Sequence, residues 1–202
     1  MLIRLRRGQR GFNLVEVMVV VAVLGMVLAV AAPNMADMIR GATVRAVSEG
    51  VQTGLHKARA EALKRNQVVT FWLVSPADAT ALDASCALAS NSASWVVSQD
   101  NPAGKCGVDP SATTDPRIVD RLGAGSTAGS LTVEAANAAG NAATSVSFNG
   151  FGQTVNTGSQ IVRIDIQHTD ATARRLRIQV STSGAIRLCD RDVASGDPRA
   201  CI

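Results

Sequence analysis

The hydrophobic and polar positions divide the chain into a helical amino-terminal part and a strand-rich remainder. Residues 17–32 form an apolar run without a charged side chain. Beyond it, apolar residues recur every three or four positions, the spacing of one face of a helix. These positions are Val44, Val47, Val51, Leu55, Ala58 and Ala62. The pattern predicts one long helix from about Phe12 to about Arg65.

After this helix, short segments rich in β-branched and aromatic residues predict strands. The segments are 67–74, 94–98, 117–122, 131–133, 145–148, 161–168, 174–180 and 185–188. Small polar residues, Gly and Pro predict loops over 75–93 and 99–116. Alternation along 161–168 predicts one exposed and one buried face, and Ser183-Gly184 predicts a hairpin turn. A long helix followed by an antiparallel sheet is an α+β fold, in which the apolar stripe of the helix packs on the sheet.

Composition narrows the class of protein. The 202 residues are 47% apolar, 18% charged and free of Tyr, which excludes a disordered or collagen-like chain and favours an exported, β-rich protein. The formal net charge of +4 comes from four arginines within residues 1–11, and the remainder is neutral. The basic charge therefore says little about a nucleic-acid partner.

The amino terminus joins a basic segment to an apolar run that is long enough for a membrane. Residues 12–32, if helical, span roughly the 30 Å of a bilayer core, and the arginines favour a cytoplasmic amino end. Topology alone leaves two alternatives open, a signal peptide cleaved near residues 29–31 and a plain anchor. Glu16 argues against both, because a carboxylate in an apolar run is costly unless a cation neutralises it.

Residues 11–16, Gly-Phe-Asn-Leu-Val-Glu, resemble the signal of type IV pilins and type II secretion pseudopilins, which has Thr where this chain has Asn13. The resemblance implies that a prepilin peptidase cuts between Gly11 and Phe12 and methylates the new amino terminus of Phe12. It also implies that Glu16 pairs with the amino terminus of a neighbouring subunit. Pro33 either ends the helix or, as the resemblance implies, kinks a helix that continues.

The resemblance divides the chain into a leader (1–11), a transmembrane or filament-core helix (12–34) and a periplasmic globular domain (35–202). Residues 57–62 and 184–189 further resemble the GspH/FimT branch of the superfamily. The implied location is the inner membrane, crossed once, and then a pilus or pseudopilus. The implied partners are other major and minor pilins or pseudopilins, together with the prepilin peptidase.

The function implied is that of a minor pilin, which primes or assembles a type IV pilus and serves twitching motility, adhesion or DNA uptake. One alternative is an H-type pseudopilin of a type II secretion system. Another is a minor pilin that binds DNA during natural transformation.

The four cysteines predict disulfides, which are permitted in an exported chain. Three connectivities exist for Cys86, Cys106, Cys189 and Cys201. The local one, Cys86–Cys106 and Cys189–Cys201, closes one loop within each segment, and a loop of this size is worth about 3 kcal/mol in the chain-entropy model. Free, buried thiols are the alternative.

The sequence contains no motif of an enzyme. It lacks a nucleophile elbow, a P-loop and paired catalytic carboxylates, and no Cys/His spacing suggests a metal site or a cofactor. The two histidines, His56 and His168, are expected to be ordinary surface or hydrogen-bonded side chains.

Arginines near the carboxyl end raise the question of DNA binding. Residues 161–191 contain six Arg against three Asp, and such a face either contacts phosphates or is simply solvated. Some FimT-type minor pilins bind DNA through a Gly-Arg-x-Arg segment, and residues 184–187 here are Gly-Ala-Ile-Arg. Arg187 is present, but Ala185 replaces the first arginine, a loss that Arg191 would have to compensate.

Overall fold

The computed structural model describes residues 12–76, 78, 80–155, 157–170 and 173–201, without the side chains of residues 30–34 and 126–128. The chain divides into two units, one ending at Ile39 and one beginning at Arg40. The first contains the start of the long helix, and the second contains the rest of the helix and all the strands described below.

The helix α1 runs from Leu14 to Arg65, as the apolar spacing predicts. Its assignment continues past Pro33, so the proline does not end the helix, and the kink stays a prediction. Asn13 caps the first turn, because its carbonyl accepts from the N–H of Glu16 at 3.0 Å and its side-chain oxygen accepts from Val15 at 3.4 Å. Asn is among the best helix-capping residues, which gives a physical reason for its place in the motif.

The predicted apolar stripe of α1 is the buried face of the helix. Val44, Val51, Leu55, Ala58 and Ala62 are at most 1% exposed, and Val47 packs against them while partly buried. The helix ends at Arg65, and the φ of 50° at the next residue, Asn66, lies in the left-handed region. There the N–H of Gln67 donates to the Ala62 carbonyl and satisfies a free helix-end acceptor.

Nine strands follow in the described residues. They are β1 (Val69–Ser75), β2 (Ala87–Leu88), β3 (Trp95–Ser98), β4 (Ile118–Leu122), β5 (Leu131–Ala136), β6 (Ser145–Phe148), β7 (Arg163–His168), β8 (Leu176–Val180) and β9 (Ile186–Asp190). A 3₁₀ helix, Gly125–Ser130, precedes β5. Eight of the nine strands lie where the sequence predicts them. The two-residue strand β2 falls inside the predicted loop 75–93, because only its pairing with β1 makes it a strand.

The strands form two antiparallel sheets, whereas the sequence predicts only one sheet. The first has the order β2-β1-β3-β4, with β6 also paired to β1, and the second has the order β5-β7-β8-β9. β8 and β9 are joined through Ser183-Gly184 and pair from Val180–Ile186 to Leu176–Asp190, so the predicted hairpin is confirmed. The α+β class is confirmed as well.

One hydrophobic core unites the stripe of α1 with the inner faces of both sheets. Phe71 and Trp95 pack at its centre with ring centroids 5.9 Å apart. Gly54 of α1 lies against these rings, since a Cβ there would come within 2.7 Å of Trp95. The core therefore needs a glycine at a helical position where alanine would otherwise be favoured.

A second, smaller core covers the opposite face of the first sheet. It contains Val74, Val96 and Ile118 together with Cys86 and Cys106, and Trp72, Leu82, Leu88 and Val108 pack around it. Cys86 and Cys106 form a disulfide within this cluster. The loops between β1 and β4 thus form an apolar layer on this face of the sheet, and the disulfide links them to each other.

We expect the variant Cys86→Ala/Cys106→Ala to lose about 4 kcal/mol of unfolding free energy. The disulfide closes a loop with a sequence separation of 20, and losing this cross-link costs about 3 kcal/mol of stability. The missing sulfur atoms leave a small cavity in the core, which costs about 1 kcal/mol more. Thermal unfolding of the full chain in detergent, followed by circular dichroism, measures this as a drop of about 12 °C. The prediction is wrong if the transition moves by less than about 3 °C.

Candidate functional site

The first candidate site is the amino-terminal end of the described chain. Gly11 and the leader lie outside the described residues, while Phe12 is 82% exposed. Glu16 lies in the first turn of α1 and is exposed. A carboxylate at that position interacts favourably with the positive end of the helix dipole. Glu16 can therefore be stabilised by its own helix as well as by a cation of another molecule.

The apolar residues that follow Glu16 are uncovered within this chain. Every large apolar side chain described between Phe12 and Leu28 is 49% to 82% exposed, and none of them belongs to either core. A continuous exposed apolar surface of this kind marks a place that another molecule covers. Within the described residues, no helical stretch combines the length and apolar character needed to cross a bilayer.

The second candidate site is the carboxyl-terminal hairpin with its tail. Cys189 and Cys201 form the second predicted disulfide, and the N–H of Asp190 donates to the Arg199 carbonyl at 2.8 Å. Arg187 donates from Nη2 to the carbonyl oxygens of Pro198 at 2.9 Å and Ala200 at 3.1 Å. The arginine that the family resemblance singles out for DNA therefore holds the tail in place.

The other arginines of this region are engaged by aspartates. Asp165 accepts two hydrogen bonds from Arg177, at 2.6 and 2.9 Å, and Arg191 lies 3.5 Å from the same carboxylate. Arg174 pairs with Asp190, and Arg175 pairs with Asp192 at 2.7 Å from its Nε. Most of the local positive charge is thus balanced internally. The alternation along 161–168 predicts Asp165 on an exposed face, but the residue is only 9% exposed. It is buried because its arginine partners cover it.

Sequence reasoning missed a contact between α1 and two turns. Arg59 donates from Nε to the Gly152 carbonyl at 3.0 Å. Gly184 packs on the same group, since a Cβ there would lie 1.8 Å from the Gly152 oxygen. The glycine of the Gly-Ala-Ile-Arg segment is therefore explained by packing. The only sequence signal for this contact is the pair of turn-forming glycines.

The tail contains a strongly perturbed carboxyl group. The Arg199 guanidinium, assisted by its backbone N–H, lowers the pKa of Asp197 to about 2. A lowered pKa in the folded state means that this interaction stabilises the tail above the ordinary pKa of 3.8 and is lost as the pH falls towards 2.

We expect the Asp197 carboxyl of the full chain to titrate near pH 2 and that of an Arg199→Gln variant, which keeps only the backbone donor, to titrate at a higher pH that is still below 3.8. Carboxyl carbon chemical shifts followed by NMR in an acid titration measure both values. A wild-type midpoint near 4 would contradict the arrangement of this turn.

No described group resembles a metal site. No cluster of three or more His, Cys, Asp or Glu side chains is placed to hold an ion in the part of the chain that the structure describes. His56 is exposed, and His168 accepts from the Asp170 N–H at 3.0 Å through Nδ1.

Comparison with known proteins gives two matches to family models. Residues 48–184 match Type II transport protein GspH, and residues 6–32 match the prokaryotic N-terminal methylation motif. No curated protein matches the chain.

Two crystal forms of the type IV minor pilin FimU of Pseudomonas aeruginosa, strain PAO1, are similar in structure at 16% sequence identity. The form in space group P65 has a TM-score of 0.42 and covers 78% of this chain and 99% of that one. The form in space group P21 has a TM-score of 0.44 and covers 79% and 95%.

Proposed function

The chain belongs to the GspH family, and from this premise we propose that it is a minor pilin, built into a type IV pilus and active in its assembly. The observation that carries the proposal is the uncovered apolar surface of α1 between Phe12 and Leu28, which directly follows the end of the basic leader. A subunit of this design is held by its helix in a membrane or a filament core, and its globular unit is left in the periplasm or on the filament surface.

Cleavage of the leader would place a charged amino terminus at the start of the apolar helix. In the proposed maturation, a prepilin peptidase cuts between Gly11 and Phe12 and methylates the Phe12 nitrogen. The mature chain then begins one residue before the helix cap Asn13, with a cationic amine at the tip of an apolar helix. The same chain contains Glu16 less than one helical turn into α1, so each subunit offers both an amine and a carboxylate in the same layer.

Pairing between subunits accounts for both charges. A lone carboxylate or a lone ammonium is costly in an apolar medium, whereas a desolvated pair is tolerated. We infer that Glu16 of one subunit neutralises the amino terminus of its neighbour as the helix moves from the inner membrane into the filament. The partners are accordingly other pilins, the prepilin peptidase and the membrane.

Mass spectrometry of the mature chain tests the proposal. We expect the amino-terminal peptide to start at Phe12 and to be heavier than the unmodified peptide by one methyl group, and a peptidase-deficient host should keep residues 1–11. A mature chain that starts at or near Ala32 would identify a cleaved signal peptide and would overturn the proposal.

The second candidate is an H-type pseudopilin of a type II secretion system, which the description of the matching family favours. The cleavage step and the apolar helix would be the same in a pilus and in a secretion system, so the phenotype of a deletion mutant is needed to separate the two. We expect deletion of the gene to reduce surface pili and twitching while exoprotein secretion stays intact. The opposite result would assign the chain to secretion.

DNA binding is the less supported alternative. Arg187 holds two tail carbonyls, and Arg191 lies beside Asp165, so neither is an uncommitted phosphate ligand. Adhesion and DNA uptake would therefore depend on the assembled pilus rather than on these two residues.

A further inference from the structure

A small polar cavity lies on the outer face of the second sheet, where β5 and β7 meet the loop between β2 and β3. It has a volume of about 230 Å³, and its lining includes Arg163, Glu134, Asp165 and Asn91 together with the small residues Gly140 and Ala142. One water molecule needs only about 10–15 Å³ of such space. The cavity therefore has room for a small organic molecule.

The strand register fixes the positions of two opposite charges in this cavity. Ile164 of β7 belongs to the main core, so its neighbours Arg163 and Asp165 lie on the outer face of the sheet. Ala136 of β5 lies opposite Arg163, and Glu134 lies opposite Asp165. Arg163 and Glu134 are thus diagonal neighbours, whose Cβ atoms are typically about 7 Å apart. Two long side chains of opposite charge therefore line the same space.

Two loops complete the walls of the cavity. The N–H of Ala135 donates to the Ser90 carbonyl at 2.8 Å, which holds the following residue, Asn91, beside the edge of β5. A Cβ on Gly140 would lie 3.7 Å from Nη2 of Arg163, so the turn after β5 is in contact with the guanidinium group. Backbone contacts with the second sheet therefore hold both loops at the cavity.

Three polar side chains of the wall are not used by the fold. Arg163, Glu134 and Asn91 form neither an ion pair nor a side-chain hydrogen bond with any residue that the structure describes. Asp165, by contrast, is neutralised by two arginines. Within the described part of the chain, the cavity thus presents one unpaired cation, one unpaired carboxylate and one unpaired carboxamide.

This combination of charges selects for a ligand that carries both signs. A simple anion would be attracted by Arg163 but repelled by Glu134, and a simple cation would meet the reverse. The planar guanidinium group binds a carboxylate through two parallel hydrogen bonds, and a carboxylate accepts hydrogen bonds from an ammonium group. An α-amino acid group has both ions on one carbon atom, and the Asn91 carboxamide offers a further donor and acceptor.

We propose that the cavity binds the zwitterionic group of an α-amino acid, with the ligand carboxylate on Arg163 and the ligand ammonium on Glu134. Two sources have this chemistry, a free amino acid and the unlinked end of a diaminopimelate residue in a cell-wall peptide. Access to the second source rests on the proposed periplasmic location, whereas binding of the group itself does not.

Equilibrium dialysis of radiolabelled glycine against the full chain in detergent micelles tests the site. We expect saturable binding of one glycine per chain. The variants Arg163→Gln and Glu134→Gln should each weaken it by at least about ten-fold, because one charge of the ligand loses its partner. Both variants should unfold at the same temperature as the parent, since neither side chain has a partner among the described residues. Glu49→Gln, which removes an exposed carboxylate from α1, is the matched control and should leave glycine binding unchanged.

Competing ligands test the requirement for both charges. Acetate, N-acetylglycine and methylammonium each keep only one charge, and we expect each to displace labelled glycine at least about ten-fold less well than alanine does. A tripeptide that ends in diaminopimelate, compared with the same tripeptide ending in lysine, identifies the source. Stronger competition by the diaminopimelate peptide than by glycine and by the lysine peptide indicates the cell wall. Otherwise the ligand is the free amino acid.

Three results would overturn the inference. They are an absence of saturable binding up to about 10 mM glycine, undiminished binding by either charge variant, and displacement by acetate that equals displacement by alanine. The last of these would identify a simple anion site. The mature start of the chain at Phe12 is measured independently, so failure of the site leaves the proposed function standing.

Discussion

Replacing Glu16 by alanine is expected to reduce the amount of the chain recovered in sheared pili by at least about ten-fold, while its level in the membrane stays unchanged. Removing one member of a desolvated charge pair costs about 2–5 kcal/mol, because the other charge is left unpaired, and each 1.4 kcal/mol corresponds to about ten-fold. In the proposed filament the unpaired charge would be the amino terminus of a neighbour. Immunoblotting of the pilus and membrane fractions measures the effect.

Glu49→Ala is the matched control for Glu16→Ala. Glu49 is another acid on α1, and it pairs with Arg45 on the exposed helix surface at 2.7 Å, where an ion pair contributes less than about 1 kcal/mol. We expect this variant to enter pili normally. If Glu16→Ala and Glu49→Ala enter pili equally well, the pairing of Glu16 with a neighbouring amine is wrong.

The variant Gly184→Ala should lose about 3 kcal/mol of unfolding free energy. Gly184 has a φ of +78°, which costs a residue with a side chain about 1–2 kcal/mol. The added Cβ would also lie 1.8 Å from the Gly152 oxygen. Relief of that overlap has to move the turn away from Arg59, and overpacking of this kind costs about 1–3 kcal/mol. Thermal unfolding of the full chain should show a drop of about 10 °C.

Gly158→Ala separates the two parts of this effect. Gly158 has nearly the same φ, +75°, but a Cβ there meets no atom of the described residues within 4 Å. We expect the Gly158 variant to lose only the backbone part, about 1 kcal/mol. Equal losses in both variants would show that the approach of Gly184 to Gly152 contributes nothing.

The elements that the sequence predicts well are those whose pattern is local. The stripe from Val44 to Ala62 identifies both the helix and its buried face. β6 is predicted with its observed bounds, because its short apolar alternation lies between clear turn residues. The motif at Gly11 and Phe12 also depends only on neighbouring residues. Its functional consequences stay predictions, since they concern molecules outside this chain.

The features that the sequence does not predict depend on residues far apart in the chain. Asp165 is buried because Arg177 and Arg191 cover it from other positions in the sheet. β2 exists only through its pairing with β1. Arg187 has the right identity and place for a phosphate ligand, but its partners are carbonyls of a tail that a disulfide brings back to β9. No spacing rule contains that information.

The apolar layer fastened by Cys86 and Cys106 has a practical consequence for recombinant production. In the reducing cytosol of an expression host the two thiols would stay unjoined, and the layer over the first sheet would be held by packing alone. Secretion into the periplasm, or a host with an oxidising cytosol, should therefore give the higher yield of soluble material. Trimming residues 76–86 and 99–117, the loops that contain Cys86 and Cys106, to obtain a shorter crystallisation target would uncover the same face of the sheet and promote aggregation.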